Sequence, residues 1–370
     1  MEKIEWMNLT RQFDAHRDEW MDAVRRVCEE TAFSGGKYEA QFEKDFAAYI
    51  GAQGAAAVSN GTHALFLAMK VLGIGPGDEV IVPADTFIAT AWGVSYNGAV
   101  PVFADIDPET WEIDPVDAEK RITEKTKAIV GVHLYGQPFD IDAVQAVADR
   151  HGLMVLEDCA QAHGARYKGQ KVGVRTKAGC FSFYPGKNLG AFGEGGAVTS
   201  QDPEVIRKIQ ILKNHGAEKR YYHDELGYNM RLEGIQGAVL SCKLKCLDGW
   251  NARRKEIAAM YQQGLHNPRI RLQKQPDFSD SVYHIMAAEV DDRDRFMAWI
   301  EENGVTAGIH YPIPCHLQKA YSFLGYREGD LPVAEKHARC CVSLPMYPEL
   351  RDDEVAYVID VINRYGTAGV

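Results

Sequence analysis

Cys180-Phe181-Ser182-Phe183-Tyr184-Pro185-Gly186-Lys187-Asn188 reads as a short apolar strand that breaks at a Pro-Gly pair and sets a lysine on the following turn. Glycines crowd the chain just beyond, at Gly190, Gly193, Gly195 and Gly196. They precede the next apolar run instead of following one, so they do not form a dinucleotide-binding fingerprint. A lysine beside apolar and aromatic residues can have a lowered pKa and act as an amine nucleophile. Taken alone, a surface lysine in a glycine-rich loop is the simpler reading.

Outward from this segment, short apolar runs alternate with helical patterns. Candidate strands cover 55–58, 79–82, 100–104, 128–133, 154–157, 180–183 and 196–199. Helical patterns at 62–72, 88–97, 140–151 and 203–214 separate most of them. Such alternation predicts the α/β class, with a mostly parallel seven-stranded sheet and helices on both faces. An amphipathic arm at 11–31, with Phe13, Trp20, Val24 and Val27 near helical spacing, precedes the first strand. The texture changes near 246. A charged helix over 247–254 is followed by strands near 283–290, 305–309 and 342–344 and helices near 293–303, 332–338 and 353–364. This predicts a large domain over 1–246 and a smaller C-terminal α+β domain over 247–370.

Composition narrows the function. The 370 residues are 46% hydrophobic and 25% charged, enough for an ordered core. A net charge of -11, with no Lys/Arg run, argues against a nucleic-acid partner. Acidic residues at the N-terminus, Met1-Glu2-Lys3-Ile4-Glu5-Trp6, do not read as a signal peptide, and no run of apolar residues is long enough to span a membrane. The eight cysteines lack the paired clusters of a metal site and read as reduced thiols, so the expected location is the cytoplasm and the expected metal content is none.

Ligands of open α/β sheets sit beyond the carboxyl ends of the strands. Two further strand ends carry polar residues. Ser59-Asn60-Gly61-Thr62 opens a helix whose free N–H groups and dipole suit a phosphate, although taken alone a plain N-cap is the better reading. Glu157-Asp158 places an acid where a buried cationic ligand could meet it. Phosphate cradle, strand-end acid and lysine together match the needs of pyridoxal 5'-phosphate: an amine to hold it, an acid at the pyridinium nitrogen and an anchor at the phosphate.

These motifs are also those of a known family. The chain resembles the DegT/DnrJ/EryC1/StrS sugar aminotransferases, which have the aspartate-aminotransferase type of fold. The likeness runs over nearly the whole chain. It includes Met7-Asn8-Leu9, Ser34-Gly35-Gly36, Ser59-Asn60-Gly61-Thr62, Gly75-Pro76-Gly77-Asp78-Glu79-Val80 and Glu157-Asp158-Cys159-Ala160-Gln161-Ala162-His163-Gly164. It continues through Phe181–Asn188, Gly227-Tyr228-Asn229-Met230-Arg231-Leu232, Tyr311-Pro312 with His316, and Ser343-Leu344-Pro345.

The resemblance implies roles. Lys187 holds the cofactor covalently and shuttles the proton, and Asp158 pairs with the pyridinium nitrogen. Gln161 lies near the phenolic oxygen and Phe87 stacks on the ring. Gly61, Thr62 and Ser182 bind the phosphate, and Asn229 reaches it from the second subunit of a homodimer. His163, Tyr184, Tyr221, Arg231, Tyr311 and His316 are set toward the substrate. Three residues depart from the expected pattern: Cys159 stands where Ala is common, Asp85 where Asn or a small residue is expected, and Met230 where Ser or Tyr is commoner.

The activity implied is transfer of an amino group, with L-glutamate as donor, to a nucleotide-linked keto-deoxy sugar. Tyr184 before Pro185 resembles the branch aminating C3 of a thymidine-diphosphate-linked 3-keto-6-deoxyhexose. A cyclitol aminotransferase is the alternative within the family. Lys187 argues against the dehydratase branch, which carries His there. Retention of Lys187, Asp158 and Ser182 argues against a non-catalytic sugar-nucleotide sensor.

Overall fold

In chain order, α1 (Leu9–Glu29) and α2 (Lys37–Ile50) precede β1 (Gly54–Val58) in a computed structural model that describes residues 3–366. Residues 1–2 and 367–370, the outer ends of the two expected domains, lie outside the described residues. Helices and strands then alternate as α3 (Gly61–Val71), β2 (Glu79–Pro83), α4 (Ala89–Ser95), β3 (Val100–Ala104), α5 (Pro115–Lys120), β4 (Thr126–Val132), α6 (Ile141–His151) and β5 (Met154–Asp158). A small ribbon, β6 (Arg166–Tyr167) and β7 (Gln170–Lys171), leads to β8 (Gly179–Ser182), β9 (Gly196–Ser200), α7 (Pro203–Lys213) and α8 (Gly234–Leu244).

One seven-stranded sheet results, in the order β1-β9-β8-β5-β4-β2-β3. Its pairs are parallel from β3 through β8, and β9 runs antiparallel to both of its neighbours. Helices cover both faces, so alternate residues of each strand enter different cores. Val80 and Val82 join one apolar cluster with Ala128 and Val130, and Ile81 and Ile129 join the other. Because β5 and β8 are parallel neighbours, Asp158 and Ser182 emerge at the same edge of the sheet.

The rest of the chain comprises α9 (Leu247–Gly264), β10 (Ile270–Leu272), β11 (Ser279–Asp280), β12 (Met286–Val290), α10 (Arg293–Glu302), α11 (Pro332–Cys340), β13 (Cys341–Leu344) and α12 (Asp352–Asn363). Strands β10, β12 and β13 form a second sheet over a third apolar cluster that contains Ile257, Tyr261, Phe296 and Val358, and β11 joins the β6–β7 ribbon. The expected boundary after 246 falls between α8 and α9.

Two local expectations change. No strand forms over 305–309; Val305 and Gly308 make only isolated bridges, to Ile4 and Ser343. The helix starting at 247 runs on to Gly264, since Ile257 and Tyr261 continue its buried stripe. Among the described residues no helix is long and apolar enough to cross a membrane, and the eight cysteines are free.

Candidate active site

Beyond β8 the chain turns so that the Lys187 N–H donates to the Tyr184 carbonyl at 2.8 Å. The turn closes on itself: a Cβ at Gly190 would lie 2.2 Å from the Pro185 oxygen, so no larger residue fits. Lys187 is half-buried. Removal of its ammonium group from water pulls its pKa down to about 8, against the opposing charge of Asp158. A measurable fraction of the amine is therefore unprotonated near neutrality. Covalent capture of pyridoxal phosphate by the apoenzyme should accelerate about tenfold per pH unit up to about 8 and then level, because only the neutral amine attacks. Stopped-flow absorbance between pH 6 and 10.5 measures this. A rate that goes on rising to the pH of an ordinary lysine would contradict the assignment.

Asp158 ends β5 and is buried. Its Oδ1 accepts from the Ala160 N–H at 3.1 Å and its Oδ2 from Thr90 Oγ1 at 2.8 Å. Thr90 in turn meets Thr86 Oγ1 at 2.8 Å. Burial raises the Asp158 pKa, while Thr90, Ala160 and the Lys187 charge oppose the rise. Nothing local in the sequence announces the bond from Thr90, on α4, to Asp158 at the end of β5.

The Ser59–Thr62 turn has the shape of an anion cradle. Asn60 caps α3, its side chain accepting from the His63 N–H at 2.8 Å. Gly61 and Thr62 then occupy the first turn, where a helix offers its N–H groups no internal acceptor. A Cβ on Gly61 would lie 2.6 Å from Ser182 Cβ and 3.1 Å from Ser182 Oγ. A Cβ on Gly196 would lie 2.4 Å from the Asn60 carbonyl. Glycine at both positions lets β8 and β9 approach the helix start, so the Ser182 hydroxyl stands beside Gly61. Donors and a helix dipole at one point fit a phosphate. Together with the desolvated amine and the buried acid, the residues present suit pyridoxal phosphate.

Three histidines surround the lysine. Burial first, and then the Lys187 charge, lowers the pKa of His284, of His310 to about 4 and of His163 to about 3, so all are neutral at pH 7. His284 Nδ1 meets Asn188 Oδ1 at 3.1 Å, and Asn188 also donates to Asn251 Oδ1 at 2.9 Å and the Val282 carbonyl at 3.1 Å. The residue next to Lys187 is thus anchored to the C-terminal part of the chain. His284 and His310 carry no signal in the sequence beyond their type, whereas Asn188 belongs to the lysine motif.

Two of the residues expected to be set toward the substrate are buried. His163 has no exposed surface and packs between Phe181 and Phe183, 5.6 Å from each ring. His316 is buried against Glu335, its Nε2 3.2 Å from the carboxylate. Membership of a motif brought both to the region, where both are buried within the chain.

The other residues divide into two groups. Gln161 is buried; its Oε1 accepts from the Tyr135 N–H at 2.6 Å and its Nε2 donates to Tyr311 Oη at 3.2 Å. Phe87 is half exposed, its ring 5.7 Å from that of Tyr311, and Tyr184 is exposed. Tyr221 and Arg231 instead line a cavity of about 800 Å³ with His215, Arg220 and His223, which neither Lys187 nor Asp158 reaches. Asn229 is exposed on the adjacent segment and bridges to Asn214. That segment runs beside the cradle strand of its own chain, since the Ser59 N–H donates to the Met230 carbonyl at 3.0 Å and Val58 pairs with Arg231.

A lysine that sheds its proton near neutrality, next to a phosphate cradle and a buried acid, serves chemistry in which an amine attacks a carbonyl on an anchored, cationic ring. On a mostly parallel α/β sheet this defines a pyridoxal-phosphate-dependent transferase. The sequence profile of the DegT/DnrJ/EryC1/StrS aminotransferase family matches residues 14–363, and the chain belongs to that family. It is an aminotransferase with pyridoxal phosphate as its cofactor. It is 42% identical over 365 residues to a pleiotropic regulatory protein of Geobacillus stearothermophilus, covering 98% of each chain. It is also 42% identical over 364 residues to dTDP-3-amino-3,4,6-trideoxy-alpha-D-glucose transaminase of Streptomyces venezuelae, covering 98% of this chain and 96% of that one. The crystal structure of S. venezuelae DesV, in complex with a ketimine intermediate, superimposes with a TM-score of 0.98 at 42% identity over 100% of both chains.

Proposed function

We propose that this enzyme transfers an amino group from L-glutamate to a nucleotide-linked keto-deoxy sugar, at C3 of a thymidine-diphosphate-linked 3-keto-6-deoxyhexose. The observation that carries this reading is the convergence of Lys187, Asp158 and the Gly61–Ser182 cradle in a chain 42% identical to a dTDP-3-amino sugar transaminase. When bound, pyridoxal phosphate supplies the aldehyde that takes up the amine and the ring that accepts electrons as a carbon–hydrogen bond breaks.

The chain's residues do the rest. The Lys187 amine takes the proton from the amino-acid carbon and returns it to the cofactor side. Asp158, held by Thr90 and Ala160, keeps a proton on the ring nitrogen. Gly61, Thr62 and Ser182 anchor the phosphate, Gln161 lies at the phenolic oxygen and Phe87 against the ring. Tyr184 and Tyr311 face the substrate, and Tyr221 and Arg231 face it from the other subunit. In this reading the chain divides near 246/247 into a cofactor-binding domain and a smaller C-terminal domain, and its free cysteines suit the reducing cytoplasm. The test is an assay with L-glutamate and a panel of nucleotide-linked 3-keto and 4-keto sugars and keto-cyclitols, with products identified by mass spectrometry and NMR. Amination of the cyclitols alone would overturn the sugar assignment.

The working unit in this reading is a homodimer with sites shared across the two-fold axis. Tyr221, Tyr222 and Leu226 are 76%, 60% and 93% exposed, large side chains suited to burial against a second copy. Isologous contact places two identical sites per dimer. A Lys187→Ala subunit mixed with an Asn229→Ala subunit should then regain activity, because one mixed site carries both lesions and the other carries neither. No recovery despite demonstrated exchange between two inactive parents would place Asn229 outside the partner's site.

A further inference from the structure

Asp85 has no task in the reaction above, yet it sits at the centre of a buried polar network. It is 1% exposed and its Oδ1 has no hydrogen-bond partner. Its Oδ2 faces Tyr135 Oη at 3.4 Å and His337 Nε2 at 3.5 Å. His337 comes from α11, with its Nδ1 2.7 Å from Glu289 Oε1. A carboxylate only accepts, so that ring nitrogen carries its proton toward Glu289. Glu289 is itself held by Arg271, whose Nε donates to it at 3.1 Å, and the Trp111 ring lies 4.4 Å from that of His337. The imidazole is thereby fixed with Nε2 2.9 Å from the Tyr135 phenol, whose single hydrogen is shared between that nitrogen and the His310 carbonyl.

The same tyrosine holds Gln161. Tyr135 has φ 61° and ψ 3°, a left-handed conformation that a bulky residue adopts only when its surroundings enforce it. In that conformation its N–H points at Gln161 Oε1. This bond decides which end of the amide faces outward. With Oε1 occupied by an N–H, the –NH₂ end remains; one of its hydrogens goes to Tyr311 and the other is left to donate.

We propose that His337, oriented by Glu289 and Asp85, is a positioning residue: it locks the Tyr135 phenol and, through the Tyr135 N–H, presents Gln161 to the cofactor as a hydrogen-bond donor. The inference rests on the reading that Gln161 lies at the cofactor's phenolic oxygen. A donor at that oxygen favours its ionised form, so the network lowers the pH at which the visible absorbance of the lysine-bound cofactor titrates. It also joins the sheet edge that bears Asp158 to β12 and α11 of the C-terminal part.

The experiment titrates that absorbance in holoenzyme carrying Tyr135→Phe, His337→Ala, Gln161→Ala or the double change Tyr135→Phe/Gln161→Ala. Tyr135→Phe removes only a hydroxyl and keeps the test open if His337→Ala fails to fold. Expected are a midpoint raised by about half a pH unit or more in each folded variant and a kcat lowered about five- to tenfold, with KM for L-glutamate within twofold. The double variant should match Gln161→Ala, since both changes act through one amide. A wild-type midpoint and kcat in Tyr135→Phe, with Gln161→Ala shifted, overturns the positioning role alone. Additive shifts in the double variant overturn it as well. An unshifted Gln161→Ala overturns the placement of Gln161 at the cofactor, and the inference with it.

Discussion

Lys187→Ala should lower turnover by at least about a thousandfold, equivalent to about 4 kcal/mol of barrier. The amine has two tasks, holding the cofactor and moving the proton. Loss of a positioned proton-transfer group alone costs about 10²–10⁴-fold. Folding should survive, because the change removes a cation whose own burial is unfavourable, as its lowered pKa records. Asp158 keeps its bonds to Thr90 and Ala160. The wild type should be yellow, and its visible band should bleach when L-glutamate is added without acceptor; the variant should lack that band. Product formation in the sugar assay and thermal unfolding by circular dichroism check the two halves of the expectation. Full activity in a folded Lys187→Ala enzyme would remove Lys187 from the chemistry and overturn the assignment of the site.

The legible parts of the fold were those in which each strand carries its own pattern. The run Val80-Ile81-Val82, apolar on both faces and bounded by Glu79 and Pro83, can only be a strand covered on both sides. Helix α8 was not read, because it is buried along almost its whole length and has no polar face to set a period. Helix α2 was passed over although Phe42, Phe46 and Ile50 recur at helical spacing on its buried face.

The site divides the same way. Lys187, Asp158 and Gly61 stand at strand ends, where their type and position already suggest a ligand. Thr90 is 68 residues from the carboxylate it holds, and Tyr135 is 202 residues from His337. Such pairs exist only once the sheet order is set. His163 and His316 show the converse: a motif gives a residue's neighbourhood, but whether its ring reaches a ligand depends on Phe181, Phe183 and Glu335, which come from other elements.

Asp158→Asn should lower kcat about a hundredfold or more while leaving the cofactor bound. The amide is nearly isosteric and can keep both existing contacts. Its oxygen accepts from the Ala160 N–H, and its nitrogen donates to Thr90, whose hydroxyl rotates toward Thr86 Oγ1 2.8 Å away. Packing therefore gives no reason for collapse. What disappears is the negative charge that holds a proton on the ring nitrogen. Charge-assisted bonds are about twice as strong as neutral ones, and in a dry site the difference reaches several kcal/mol of barrier. Since tenfold corresponds to about 1.36 kcal/mol, a hundredfold loss requires about 2.7 kcal/mol, which lies within that range. Binding depends instead on the Gly61–Ser182 cradle and on Lys187, so the cofactor content of the purified variant, measured by absorbance, should match the wild type. A rate within about threefold of wild type would mean that the carboxylate serves only to tie β5 to Thr90 and Ala160, and that the ring nitrogen finds its proton elsewhere. A variant that loses the cofactor would move the role of Asp158 from catalysis to anchoring.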